Sequence, residues 1–409
     1  MEKKLKKRFL LVTQYFYPEN FKSNDIAFEL ASRGYKVDAL VSIPNYPEGK
    51  YYKGYNLIKK RFEKYKNVNI YRCFQTPRGR KAKSFFLALN YLSYLVSASI
   101  WALFFALFKK YDGIIVHATS PITQAIPAII VKKVQRIPLY TWVLDIWPDA
   151  MTSGGGIKNK SILSFMNNMV KWIYSNSDKI LISSKGFEDL IVKQDSKFKE
   201  KITYFPNWTE DVIINNEIKI PLLPDGFKIL MAGNLGKAQN IRELMKAILL
   251  FKDYTELKWI FIGDGSEKNY IDNFLKENNL ENTVFTYGRY PSEYMGGFFN
   301  QADALLITLR AEFPHLRAVI PARLQSYMAA GKPILGMADG GVNEIIKEAD
   351  CGYCVNANDY KAFYNIIKTN ILSNKNTLAI KGKNGRKYYE KHFTKKYCID
   401  NLEKILTDD

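Results

Sequence analysis

The chain has 409 residues, 47% of them hydrophobic and 14% aromatic. That composition excludes a disordered or fibrous polypeptide, and the length exceeds what one core usually holds, so two domains are expected. Lys and Arg outnumber Asp and Glu by 60 to 40, a formal charge of +20, which calls for an anionic partner: nucleic acid, a membrane surface or a phosphorylated substrate. No RNA-binding aromatic signature, zinc-finger spacing or basic arm accompanies the charge.

The basic-then-apolar start MEKKLKKRFLLVTQYF has no small-residue cleavage site and reads as a first strand, not a signal peptide. Strand candidates follow at 9–16, 36–42, 68–74, 113–119, 139–147 and 179–184, each a short Val-, Ile-, Phe- or Tyr-rich run bounded by Gly, Pro, Asn or Asp. Helical stretches separate them, such as residues 23–34, which close on Gly34 at a C-cap position. Residues 84–108 carry no charge over 25 positions, long enough to span a membrane. A span would separate strands that one sheet needs together. The run therefore reads as a helix of the first domain, either buried or dipped into a bilayer. Asn90, Ser93 and Ser97 mark a thin polar stripe on it, and Arg78, Arg80, Lys81, Lys83, Lys109 and Lys110 flank it.

Around 208–226 the alternation lapses into a proline-containing linker, and it restarts with strands at 228–235, 258–265, 283–290, 304–309 and 333–338. Two βαβ series predict an α/β protein of two doubly wound Rossmann-like domains facing a central cleft, with ligands at the carboxyl ends of the strands. The expected division is 1–210, 226–384 and a C-terminal helix in 385–409 that packs back on the first domain. The first strand leads into a loop without glycine, and Gly331-Lys332 is followed by Pro333, so neither a dinucleotide nor a P-loop fingerprint is present. Cys73, Cys351, Cys354 and Cys398 are too scattered for a disulfide framework. The Cys351–Cys354 pair has redox spacing but begins an apolar strand-like stretch, and it reads as structural. His117, His315 and His392 do not cluster as metal ligands, and no Asp-x-Asp triplet occurs.

Five segments of the second half, 231–248, 261–271, 284–295, 302–309 and VIPARLQSYMAAGKPIL (319–335), resemble in order and spacing the donor half of retaining GT-B glycosyltransferases of the family 4 type. Residues 15–55, HATSPITQ (117–124) and WVLDIWPDA (142–150) are similar to the acceptor half of the fucosaminyltransferase-like branch that builds bacterial O-antigen and capsule. The resemblance implies a UDP-sugar donor carrying an N-acetylaminosugar, a polyprenyl-diphosphate-linked acceptor, no metal and no cofactor. It also implies a cytoplasmic protein held peripherally on the inner face of the membrane through 84–108. It places Gly233, Asn234, Lys237, Gly288, Arg289, Arg323, Gln325 and Ser326 on the donor, with Lys237 and Arg323 against the diphosphate and Gln325 or Ser326 on the ribose. Glu19, Asn24, Asn45 and His117 fall to the acceptor, and Asp145 to the attacking hydroxyl. The superfamily often carries two glutamates eight positions apart at this helix. Here Ala318 and Ser326 stand in their places, so no catalytic glutamate carries over; Glu312 and Glu344 are the nearby acids. Two rivals remain open: an epimerase or phosphorylase on the same fold, and a basic nucleic-acid-binding protein.

Overall fold

The computed structural model describes residues 7–79, 84–153, 156–212, 217–371 and 375–408. The chain divides into two compact units. The first comprises 1–183, 187–205 and 399–409, and the second 184–186 and 206–398.

In chain order the first unit contains β1 (Arg8–Val12), α1 (Lys22–Ser32), β2 (Lys36–Ser42), β3 (Phe62–Tyr65), β4 (Val68–Cys73), α2 (Ser84–Phe108), β5 (Gly113–Ala118), α3 (Ile126–Gln135), β6 (Leu139–Val143), α4 (Asp149–Ser153), α5 (Lys160–Asn176), β7 (Lys179–Ile182), α6 (Phe187–Val192) and β8 (Ile202–Tyr204). Its sheet runs β3-β4-β2-β1-β5-β6-β7-β8. All pairings are parallel except the antiparallel β3–β4 edge. The order reverses between β1 and β5, the point where such sheets open a ligand crevice. Edge strand β3 (FEKY) escaped the sequence reading because two of its four residues are charged and all are exposed or half-buried, as edge strands often are.

The second unit contains β9 (Phe227–Ala232), α7 (Ile241–Leu249), β10 (Leu257–Ile262), α8 (Lys268–Asn278), β11 (Val284–Thr286), α9 (Met295–Gln301), β12 (Ala304–Thr308), α10 (Pro314–Ala318), α11 (Ala322–Ala329), β13 (Ile334–Met337), α12 (Gly341–Glu348), β14 (Gly352–Val355), α13 (Tyr360–Ile366) and α14 (Lys375–His392). Its all-parallel sheet runs β11-β10-β9-β12-β13-β14, switching between β9 and β12. Neighbouring strand residues enter opposite cores: Met231, Phe261 and Leu306 pack on one face, Leu230, Ile260 and Leu305 on the other. Both faces are therefore covered, which is why these strands read as continuous apolar runs. Each such side chain contributes about 1.5–3 kcal/mol on burial.

Three expectations shift. The proline-containing stretch is not a free linker, because Trp208 is wholly buried and Leu223 packs in the second unit's core. The second unit extends past residue 384, since α14 is anchored to α11 there: Arg386 Nη1 donates to the Ala329 carbonyl at 2.7 Å. The C-terminal stretch is two helices, α14 and α15 (Lys395–Thr407), broken at Phe393-Thr394. From Ile399 onward α15 belongs to the first unit, where Arg33 pairs with Asp400 at 2.6 Å and Glu403 at 2.5 Å.

Candidate active site

In the second unit the loops after β9, β10 and β11 approach one another through glycine. Gly233 (φ +114) follows β9, and a side chain there would sit 3.1 Å from Arg323 Nη2. Gly263 (φ +144) lies so close to the Gly233 carbonyl that a Cβ would fall 1.8 Å from it, so only glycine fits both the backbone angle and the space. The Gly263 amide donates to the Gly288 carbonyl at 2.7 Å, tying in the third loop. Arg323, in the first turn of α11, reaches across and donates from Nη2 to the Asn234 carbonyl at 3.0 Å. Its Nη1 is buried without a partner, a cationic donor with unmet hydrogen bonds. The structure thus brings Gly233, Asn234, Gly288 and Arg323 together, while Arg289 beside them is exposed.

Three amides after β9 are already bonded within the protein. Gly233 donates to Ile262 O, Leu235 to Asp264 O, and Gly236 to the Gln239 side chain. The helix α7 begins only at Ile241, after Asn240 in the left-handed region. Exposed Lys237 instead lines a polar cavity of about 360 Å³ at the β9/β12 switch point, together with Arg242, Glu267, Arg310 and Glu312. Glu312 is paired there with Arg310 at 2.9 Å, and the hydrogen bond from that guanidinium holds its carboxyl below the usual range. Glu344 is exposed on α12.

Gln325 is turned inward, contrary to the ribose-binding expectation, and half-buried Ser326 bonds within the protein. Gln325 is fully buried and donates to the Asn207 carbonyl at 2.8 Å; Ser326 Oγ lies 3.1 Å from Thr209 Oγ1 and bonds back to Ala322 O at 3.2 Å. Gln325 lies two positions past Arg323, about 200° round the helix, so the two side chains cannot share a face.

In the first unit the strand ends carry a buried polar network. Glu19, 1% exposed, accepts from the amides of Asn45 (2.7 Å) and Tyr46 (2.6 Å), while its Oε2 is buried and unpartnered. Burial raises its carboxyl to about 7 despite those two bonds. Asn24 clasps the same loop, accepting from the Tyr17 amide and donating to Glu19 O. Asn45, wholly buried, donates to Ile43 O and Gln75 Oε1. These asparagines shape loops and present nothing to a ligand. His117 is likewise interior: 1% exposed, its ring centroid 5.1 Å from that of Trp142, both nitrogens without partners. Burial lowers its pKa to about 3, so it is a neutral core residue.

The sequence reading missed Gln14, Gln75 and Gln124, which complete this network. Gln124 Oε1 accepts from the Gln14 amide at 2.8 Å, and Gln14 Nε2 donates to Asn90 at 2.9 Å. The polar stripe of α2 was its visible trace: Asn90 donates to Thr76 O, Ser93 accepts from the Thr76 amide, and Ser97 donates to Phe74 O. The stripe docks α2 onto the loop after β4.

Asp145, two residues beyond β6, is partly exposed and accepts from Ser120 Oγ at 2.7 Å, whose oxygen in turn accepts from Trp147 Nε1 at 3.1 Å. Ser120 and Trp147 also line an apolar cavity of about 520 Å³ beneath α2. The thiols of Cys351 and Cys354 are pushed up to about 12 by burial, so their spacing makes no reactive pair. Among the described residues, no three His, Cys, Asp or Glu side chains converge as metal ligands.

Residues 214–388 match the family described as "Glycosyl transferases group 1". Protein CapJ of Staphylococcus aureus is 24% identical over 269 residues, 65% of this chain and 64% of its own. The Campylobacter jejuni N-acetylgalactosamine-N,N'-diacetylbacillosaminyl-diphospho-undecaprenol 4-alpha-N-acetylgalactosaminyltransferase is 26% identical over 242 residues, 58% of this chain and 62% of its own. The chain spans less than two thirds of the length of these curated relatives. Anabaena HepE, solved with UDP and glucose, superposes with a TM-score of 0.67 at 15% identity, covering 98% of this chain and all of HepE. The chain therefore has the GT-B fold of two Rossmann-like α/β domains, and its segment 214–388 is similar to the group 1 glycosyl transferases.

Proposed function

We propose that this protein transfers a sugar, with retention, from a UDP-N-acetylaminosugar to a polyprenyl-diphosphate-linked acceptor in bacterial surface polysaccharide assembly. The observation that carries the reading is Arg323: a buried guanidinium nitrogen without a partner, set against a turn that glycine keeps open. A planar fork of donors in that position suits a diphosphate, which leaves with growing negative charge. Lys237, at the sheet's switch point, adds a second cation. Fixed positive charge does the work of a divalent ion, so the reaction is metal-independent. Asp145 orients the acceptor hydroxyl, with Ser120 holding its carboxylate. The names of the similar proteins support the donor and acceptor classes: HepE was solved with UDP, and the Campylobacter enzyme acts on an undecaprenyl-diphosphate-linked sugar.

The same reading places the protein on the inner face of the membrane. Helix α2 is long and apolar enough to cross a bilayer, but Tyr94, Ala98, Ala102 and Phe105 are buried within the unit, so it lies on its own domain. Only 28% of its apolar window is buried. Leu92, Val96, Ile100, Leu107 and Phe108 are each more than half exposed, an outward face suited to the acyl boundary. The basic flanks contribute less than their number suggests. Lys109 is turned inward to buried Asp38 at 3.0 Å, and Arg80, Lys81 and Lys83 lie outside the described residues.

A thermal-shift panel of nucleoside diphosphates tests the donor class: UDP is expected to stabilise the protein and ADP and GDP are not. Product NMR then reads the anomeric configuration, and turnover in excess chelator reads the metal. A β-product from an α-linked donor contradicts retention; turnover lost to EDTA and restored by manganese contradicts the metal-independent mechanism.

A further inference from the structure

An apolar cavity lies beneath α2, with an arginine beside it. Leu87, Ala88, Leu92 and Leu95 of α2 make one wall, and Met151 and Met166 belong to the other side. Its volume of about 520 Å³ lies within the usual range of small-molecule sites, about 300–1,000 Å³. Of the hydroxyls on its lining, Ser120 already donates to Asp145 and accepts from Trp147, Tyr91 accepts from Arg78, and Thr123 adds a third; apart from the Trp147 ring nitrogen the other lining side chains are apolar. A predominantly apolar occupant therefore suits the interior.

Tyr91 joins this cavity to a cation. Its side chain lines the cavity, and its hydroxyl accepts from Arg78 Nη2 at 3.1 Å. The same nitrogen donates to Tyr15 OH at 2.9 Å, and the guanidinium lies over the rings of Tyr15, Tyr46 and Tyr91 at 5.2–5.8 Å. Arg78 is only partly buried, its Nε is buried without a partner, and no carboxylate among the described residues comes within ion-pairing distance. Glu19, the acid that interacts with it electrostatically, has Oε1 held by two backbone amides. Aromatic walls fix the guanidinium's plane and leave its charge unneutralised, an arrangement that favours a phosphate. The cavity's wall also continues outward, since Leu92 lines the cavity and belongs to the exposed face of α2.

We propose that this cavity takes the first isoprene units of a polyprenyl diphosphate, with Arg78 holding the diphosphate at its mouth. An apolar chamber joined to an unneutralised guanidinium complements an isoprenoid chain ending in a diphosphate, and the volume admits only the units next to it. The remainder of the chain follows the α2 face outward. This assignment rests on the lipid-linked acceptor reading and deepens it by giving the lipid its own pocket.

Calorimetric titration of the full chain with farnesyl diphosphate, below its micelle concentration, tests the pocket. Saturable one-site binding is expected. Ala88→Trp, which fills the chamber from its exposed rim, and Arg78→Ala, which removes the charge, are each expected to weaken it at least tenfold. Arg78→Lys falls between, farnesol binds at least tenfold more weakly, and inorganic diphosphate shows no sensitivity to Ala88→Trp. Circular dichroism melts confirm folding, and should Arg78→Ala unfold, Ala88→Trp alone decides. No binding of farnesyl diphosphate to the native chain overturns the proposal, as does binding that both variants retain, which means adsorption to the α2 face. UDP is titrated in parallel. Loss of farnesyl diphosphate binding with UDP binding intact refutes the pocket alone; failure to bind UDP in the native chain refutes the transferase reading and leaves the pocket judged by its own variants.

Discussion

The two units end their strands in opposite ways. After β9, β10 and β11 the loops are held apart from nothing but each other's backbone, because Gly233 and Gly263 have no side chains, and Arg323 reaches over them with an unmet donor. After β1, β2 and β4 the loops are filled by side chains, with Glu19, Asn45, Gln75 and Asn90 bonded inward. One surface is opened by removing atoms, and the proposed donor site lies there. The other uses most of its polar residues to hold a shape, and the recognition proposed for it falls to Asp145, Arg78 and an apolar chamber. Polar residues at a strand end are thus poor guides to binding unless their partners are known.

The sharpest way to break this contrast is to add an atom where the second unit has none. Gly263→Ala puts a Cβ against the Gly233 carbonyl at a φ that L-residues rarely adopt. It is expected to cost about 5 kcal/mol and to abolish nucleotide binding. Denaturant melts and UDP titration check both; a variant of native stability and affinity shows that the loops are not backbone-packed.

The first unit's buried titratable groups make two opposed pH signatures. His117 is held neutral, with a pKa of about 3. The unfolded chain protonates it below about 6.5, so its contribution is present above that pH and is lost as pH falls toward 3, by about 5 kcal/mol at most. Glu19, raised to about 7, acts in reverse. Its contribution is present below about 4.5 and is lost as pH rises through 7, by about 3 kcal/mol. Urea melts across pH 3–8 are expected to show His117→Phe gaining on the native chain toward acid and Glu19→Gln gaining toward neutral. Parallel native and variant curves place these groups in solvent and end the contrast.

The smallest effect is expected on α2, where surface and core lie on one helix. Leu103 is 49% exposed and Ala98 is buried. Leu103→Glu is expected to change stability by no more than about 0.5 kcal/mol while lowering co-sedimentation with anionic vesicles. Ala98→Glu should cost several kcal/mol, because it leaves an unpaired charge in a core. Unchanged vesicle affinity in Leu103→Glu ends the membrane reading.

What the sequence disclosed follows the same line. Strands buried on both faces advertise themselves as apolar runs, so most of both sheets was legible, whereas β3 and the three-residue β8 carry no such run. The donor loops were legible because glycine and a lone arginine are rare, position-specific choices. Side-chain direction was not: nothing in QSY says that Gln325 turns to Asn207, nor does the loop's sequence say that the Leu235 amide is bonded across to the β10 loop. The chamber under α2 was invisible, since Met151, Met166 and Leu95 come together only through the fold.

The central claim is that Arg323, set over a glycine-opened turn, binds the donor's diphosphate. Isothermal titration of UDP into the native chain and into Arg323→Ala tests it most directly, with circular dichroism confirming that both are folded. Loss of a charged hydrogen bond to phosphate, about 1.5–3 kcal/mol, predicts an affinity roughly ten- to a hundredfold weaker in the variant. Equal affinity for UDP in the two folded proteins contradicts the account.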